Sequence, residues 1–204
     1  MTDEIISINT EQSASQISST RIEVPTFKIL PENDPNLYQT LDEFDFSNPP
    51  VNPMQFASSL VETCKQYRGL GLSANQCGFP YRVFVAGHED NYVAYFNPKV
   101  LVASVEEKIG LEGCLSYPNL FLNINRPETI QVEYQDYNGD KHTAVFQGMT
   151  ARVFMHELDH MNGIIFTQRA KPLALKSGID KRNKLMRKYE KYAKSLQKQV
   201  RNIK

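Results

Sequence analysis

Residues 156–160 read His-Glu-Leu-Asp-His, and this run constrains the chain more than any other. It needs a helix, because on a helix residues four apart lie about 40° apart around the axis and one turn along it, so two imidazoles converge on one point. Glu157 then sits roughly 60° from His160 on the same side. A divalent metal between the imidazoles would acidify a water and polarise a carbonyl, while the carboxylate accepts the proton and later delivers it to a leaving amine. Apolar spacing from Met149 to Met161 supports that helix, and Asn162-Gly163 ends it. The same five residues also arise by accident on surface helices, so the pattern alone does not name an enzyme.

Two histidines leave a tetrahedral site one protein ligand short once a water position is kept open. Cys114, in Glu112-Gly113-Cys114-Leu115-Ser116, can fill it. A thiolate beside two imidazoles suits iron(II), zinc, nickel or cobalt far better than magnesium or calcium. Three cysteines cannot all pair, which speaks against a disulfide framework. Cys64 falls in the apolar register of a helix and is read as a packing residue, and Cys77 as packing or lying near the site without ligating. A third block, Gly69-Leu70-Gly71-Leu72-Ser73-Ala74-Asn75-Gln76, lacks both the Gly-Lys-Ser/Thr of a phosphate loop and dinucleotide spacing. Its glycines permit close approach of a ligand, and Gln76 offers an amide donor to a developing oxyanion; a helix cap followed by an ordinary polar Gln is the plainer reading.

The 204 residues, 41% hydrophobic, suffice for one domain with a real core. Lysines and arginines balance the acidic side chains, 23 against 23, leaving no global basic field to hold DNA or an anionic membrane. No apolar run approaches the roughly 18 residues of a membrane span, and the first residues lack a basic and apolar leader pattern, so a soluble cytoplasmic protein is expected. Residues 1–20 read as a mobile tail, 21–175 as the catalytic domain, and 31–53 within it as proline-rich loop. Asn52-Pro53 opens a helix carrying Met54, Phe56, Leu60, Val61, Cys64 and Tyr67 and closed by Gly69. Arg82–Ala86 and Tyr92–Phe96 read as strands, and Thr129–Tyr134 with Thr143–Phe146 as a hairpin about Asn138-Gly139. From Ser177 a long helix carries Ile179, Met186, Tyr189, Ala193, Leu196 and Val200 as one stripe. Helices among antiparallel strands, without regular β-α-β alternation, indicate an α+β fold: antiparallel sheets around the motif helix, with a long C-terminal helix.

The three blocks GLGLSANQ, EGCLS and MHELDH, in this order, resemble the marks of the peptide deformylase family, G-Φ-G-Φ-A-A-x-Q, E-G-C-Φ-S and Q-H-E-x-D-H. The resemblance runs from about Pro53 to Arg169. It implies removal of the N-formyl group from formyl-methionyl peptides with release of formate. Cys114, His156 and His160 would hold one divalent metal, iron(II) by resemblance, with zinc, nickel or cobalt also suited to the donors. Glu157 would be the general acid/base, and Gln76 and the Leu115 N–H would stabilise the tetrahedral intermediate. Leu70 and Gly71 would contact the substrate peptide, and Arg126 resembles the family's arginine near the substrate's exit side. Leu111, Met149 and Val153 are candidates for the wall of a methionine pocket, the last two sharing the helix face of His156. Two departures stand out: Ser73 replaces an alanine, and Met155 stands where the family has glutamine, removing a polar group beside a ligand.

Two rival readings use the same residues. An endopeptidase shares the His-Glu-x-x-His helix but usually draws its third ligand from Glu or His, and a non-catalytic module would use a closed four-ligand structural site. The zero net charge also hides an asymmetry, because residues 176–204 hold eleven Lys+Arg and two Asp+Glu. That segment is either a solvated helix face or a basic surface that meets ribosomal RNA, the latter also implied by the resemblance.

Overall fold

The computed structural model describes residues 24–201, so the tail expected over residues 1–20 lies outside the described residues. Helix α1 (Pro53–Gln66) begins as its sequence requires, with the Asn52 side chain accepting the Gln55 N–H and Pro53 in the first turn. Strands β1 (Gly71–Ser73), β2 (Val83–His88), β3 (Asn91–Ala103), β6 (Thr129–Gln135) and β7 (Lys141–Gln147) form an antiparallel sheet in the order β1-β2-β3-β6-β7. A separate two-stranded ribbon pairs β4 (Glu107–Cys114) with β5 (Tyr117–Pro127). Helix α2 (Gly148–Met161), the short α3 (Phe166–Arg169) and the long α4 (Pro172–Arg201) complete the chain.

Side chains alternate across a strand, and this decides where the helices lie. Val83 and Val85 of β2 join Phe56, Leu60 and Cys64 of α1 in one core. Phe84, between them, points the other way into a second core with Tyr95, Ala151 and Phe154. The sheet is thus packed between α1 and α2. Phe84 and Phe154 meet edge to face at 5.0 Å between ring centroids, and each fully buried ring contributes about 1.5–3 kcal/mol. Nine residues of α2 are buried. A helix so enclosed can carry charged groups only if other elements supply partners.

The hairpin about Asn138-Gly139 forms as expected, with Gly139 at φ +88° and Asp136 Oδ1 accepting the Asn138 and Asp140 N–H groups. The β4–β5 ribbon has no counterpart among the strands expected from sequence. β4 is mostly exposed and shows no buried apolar alternation, whereas β5 buries Tyr117 at its start and then Leu120, Leu122, Ile124 and Arg126 on one face. That alternation in Leu120–Arg126 was the available signal.

Helix α4 starts at Pro172, five residues before the expected Ser177. Leu175 and Ile179 pack into a third core with Leu120 and Leu122, and Gly178 is so close to Leu122 that a side chain there would clash. Further along, the expected stripe is not docked. Tyr189 and Leu196 are 53% and 43% exposed, and the side chain of Val200 lies outside the described residues.

Candidate active site

Three segments bring the chemistry together. Helix α2 presents Arg152, His156, Glu157 and His160; the end of β4 and the turn to β5 present Glu112, Cys114 and Leu115; β1 and the 3₁₀ turn Ala74–Cys77 present Gly71 and Gln76. A register shift between Gly113 and Cys114 breaks the ribbon's pairing at the cysteine, a device that re-aims a side chain.

One ligand atom each from Cys114, His156 and His160 lies within 4.8 Å of the others. Cys114 Sγ is 3.4 Å from His160 Nε2. His156 Nδ1 is 3.1 Å from Glu112 Oε2, and an ionised carboxylate only accepts, so Nδ1 donates and Nε2 is the nitrogen left to face the cluster, where a cation would displace its proton. Among the described residues, the buried atoms His160 Nδ1 and Glu157 Oε2 have no hydrogen-bond partner. A cysteine sulfur and two imidazoles converging beside an unpartnered carboxylate fit a divalent transition-metal ion.

Electrostatics follow from burial and partners. Burial pushes the Glu157 carboxyl up to about 7, against the pull of His156. Burial would also raise Glu112, but hydrogen bonds from His156 and Arg126 hold it down at about 2. Burial opposes charge on His156, yet its Cys114 and Glu112 partners lift it to about 10. His160 is lowered well below the usual imidazole value by burial and by the charges of His156 and Arg126.

Gln76 is buried, its Oε1 accepting from Ser73 N at 3.1 Å and its Nε2 donating to Cys114 Sγ and Ser116 Oγ, both at 3.2 Å. Ser73, the departure from alanine, has its hydroxyl placed against Asn75 Oδ1 at 2.8 Å and Gln76 Oε1 at 3.1 Å, so the added polar group is satisfied. Met155, the departure from glutamine, packs in the apolar core with Leu41, Phe84 and Phe154. A side chain at Gly71 would run into the Glu157 carboxylate, which explains the glycine. Cys64 is fully buried and Cys77 partly buried among apolar neighbours.

A cavity of about 470 Å³ opens onto the cluster, lined by Leu70, Gly71, Gln76, Leu111, Leu115, Met149, Val153 and Glu157, all expected near the site. Tyr67, Arg68, Phe121 and Arg152 also line it and were not anticipated. Arg126 corrects the expectation that it lies near the substrate's exit. It is 5% exposed, holds Glu112 through Nε and Nη2 at 3.0 Å each, and reaches Asp159 Oδ2 at 2.5 Å. Arg169 closes the network on Asp159 at 2.6 Å. The physical reason is that buried Glu112 and Asp159 need a cation between them more than the surface needs an arginine.

This architecture and donor set define a metal-dependent hydrolase of the His-Glu-x-x-His class. The family model of polypeptide deformylase matches residues 26–176. A peptide deformylase of Thermotoga neapolitana is 42% identical over 113 residues, 55% of this chain and 69% of that protein. The crystal structure of peptide deformylase from Thermotoga maritima aligns with a TM-score of 0.69 at 34% identity, covering 72% of this chain and 99% of that one. A Met-Ala-Ser-bound class I type b peptide deformylase from Acinetobacter baumannii aligns at 0.68 and 29% identity, covering 72% and 99%. The chain belongs to the polypeptide deformylase family. It is a metal-dependent hydrolase that removes the formyl group from the N-terminal methionine of newly made polypeptides and releases formate. Neither an endopeptidase nor a non-catalytic module accounts for these matches.

Proposed function

We propose that Cys114 Sγ, His156 Nε2 and His160 Nε2 hold the divalent ion, and that iron(II) is the physiological one, with zinc, nickel or cobalt compatible with the same donors. A cation there supplies Lewis acidity and a lowered water pKa. Glu157 takes the proton of the water that adds to the formyl carbon. The C–N bond then breaks as Glu157 passes that proton to the amine nitrogen, giving formate and a free N-terminus. Leu115 N–H and Gln76 Nε2 donate to the oxyanion; the Gln76 bond to Cys114 Sγ, a weak acceptor, is the one that redirects. Gly71 main chain and Leu70 hold the peptide, and Leu111, Met149 and Val153 enclose the methionine side chain. The observation that carries this reading is the convergence of one sulfur and two imidazole nitrogens within 4.8 Å at the wall of the cavity.

The test is Glu157→Gln, which keeps shape but cannot accept a proton. Bound metal stays near stoichiometric while formate release from a short formyl-methionyl peptide falls by about 10²–10⁴-fold. Near-normal release would remove Glu157 from the mechanism.

Among the described residues no helix is long and apolar enough to cross a membrane. We read the protein as cytoplasmic, with residues 21–175 forming the catalytic domain and the basic helix continuing as an extension that meets ribosomal RNA near the emerging chain. Supporting this is the exposed outer part of α4, with lysines and arginines along most of its length. Phosphate neutralisation by such a surface gives sequence-independent, salt-sensitive affinity.

A further inference from the structure

Arg152 lies one helical turn before His156, on the same face of α2, and forms part of the cavity wall beside Met149 and Val153. It is 8% exposed. A cation in such a wall is costly unless fully paired, and its partners are specific. Nη1 donates to Glu112 Oε1 at 2.8 Å and to the Ile124 carbonyl at 2.9 Å; Nη2 donates to the Lys108 carbonyl at 2.6 Å. Lys108 and Ile124 belong to β4 and β5, the ribbon whose end carries Cys114. Glu112 meanwhile receives Arg126 from another direction and holds His156 Nδ1 on its Oε2. Two guanidinium groups and one imidazole therefore occupy both oxygens of one buried carboxylate, which leaves it a single orientation. Gly110 completes the arrangement, because a Cβ there would fall 2.6 Å from Arg152 Cζ.

We propose that Arg152 is a positioning residue for the metal centre: it locks the Glu112 carboxylate that orients His156, and it fastens the ribbon bearing Cys114 to the helix bearing both histidines. The inference rests on the assignment of Cys114, His156 and His160 as ligands. Its effect is on the geometry and affinity of the centre, exerted through Glu112 and the ribbon.

The experiment titrates metal-free protein with Co2+, following the thiolate charge-transfer and d–d absorption bands and measuring affinity by chelator competition. Arg152→Met should bind Co2+ about 10–100-fold more weakly, with shifted d–d bands, as expected for loss of a group that supports a ligand. Arg152→Lys, which can pair with Glu112 but cannot also span both carbonyls, should recover part of the loss. A merely structural arginine would lower the melting temperature and leave affinity and bands of the folded protein at wild-type values, and that result overturns the proposal. Should Arg152→Met fail to fold, Gly110→Ala displaces the guanidinium while leaving every polar partner intact. It should weaken Co2+ binding in the same direction, and wild-type affinity and bands in this variant are equally fatal. The ligand assignment fails separately, if wild-type protein takes up no stoichiometric Co2+ or if Cys114→Ser binds it unchanged.

Discussion

Helices α2 and the outer part of α4 are both rich in ionisable residues, and they treat charge in opposite ways. On α2, Arg152, His156, Glu157, Asp159 and His160 are all buried. Arg152, His156 and Asp159 take their partners from β4, β5 and α3, and His160 Nε2 meets Cys114, while Glu157 Oε2 is left unpartnered at the cluster. On α4 beyond Arg182, the described residues are exposed apart from partly covered Leu185, and their charges face solvent. Buried charge is a commitment to one geometry, because an unpaired member is so costly that the whole network moves together or not at all. Exposed charge commits to nothing local. It creates a field felt by a polyanion and screened by salt.

The sharpest way to break this contrast is at the ligand itself. Cys114→Ser replaces a soft anionic donor with a neutral hydroxyl, so bound iron or zinc and formate release should both fall by orders of magnitude. Cys64→Ala should alter packing alone, seen as a lower melting temperature with metal content unchanged; a requirement for Cys64 and none for Cys114 in metal analysis would reverse the assignment. Next comes the network. Asp159→Asn leaves Arg126 and Arg169 facing a neutral amide in a buried site, and urea unfolding should show a loss of about 3–5 kcal/mol. A loss below about 1 kcal/mol would mean that the buried charges behave like surface ones.

Thiol chemistry gives a finer measure of burial. Burial pushes both Cys64 and Cys77 up to about 12, so at pH 8 only about one in ten thousand of either is thiolate, a fraction that rises with pH. Cys114 instead lines the open cavity, so an alkylating reagent on metal-free protein should modify it first, one equivalent by mass spectrometry, and reach the other two only on unfolding. The smallest effect on catalysis is expected at the exposed end. Deleting residues 187–204 removes seven Lys+Arg and one Glu and should leave short-peptide turnover within about twofold while weakening ribosome co-sedimentation and flattening its salt dependence. Co-sedimentation that survives the deletion would dismiss the ribosome role. A cut before Ser177 is unsuited to the question, since it also removes Gly178 and Ile179 from their packing on β5.

What could be read directly from residues was local and periodic. The Asn52 cap, the turn glycine at 139 and the i, i+4 imidazoles of α2 each lie within one helical turn or one hairpin, where spacing dictates geometry. Cys114 followed from the chemistry of its side chain, and the three blocks together identified the family. The strands β4 and β5 were missed because an exposed ribbon has little reason to alternate on both strands, and its one regular face ends in an arginine that reads as surface.

The sequence by itself determined the helix that carries two imidazoles and a carboxylate on one side, the soft third donor, and the reaction class these imply. Only the tertiary structure decided what the remaining charges do. Arg126 was expected at the substrate and lies instead between Glu112 and Asp159, 14 and 33 residues away along the chain. Arg152 meets Glu112 across 40 residues. Pairings at such separations depend on which strands and helices happen to close together, and on the need of each buried charge for a partner once they have; no spacing along the chain encodes either.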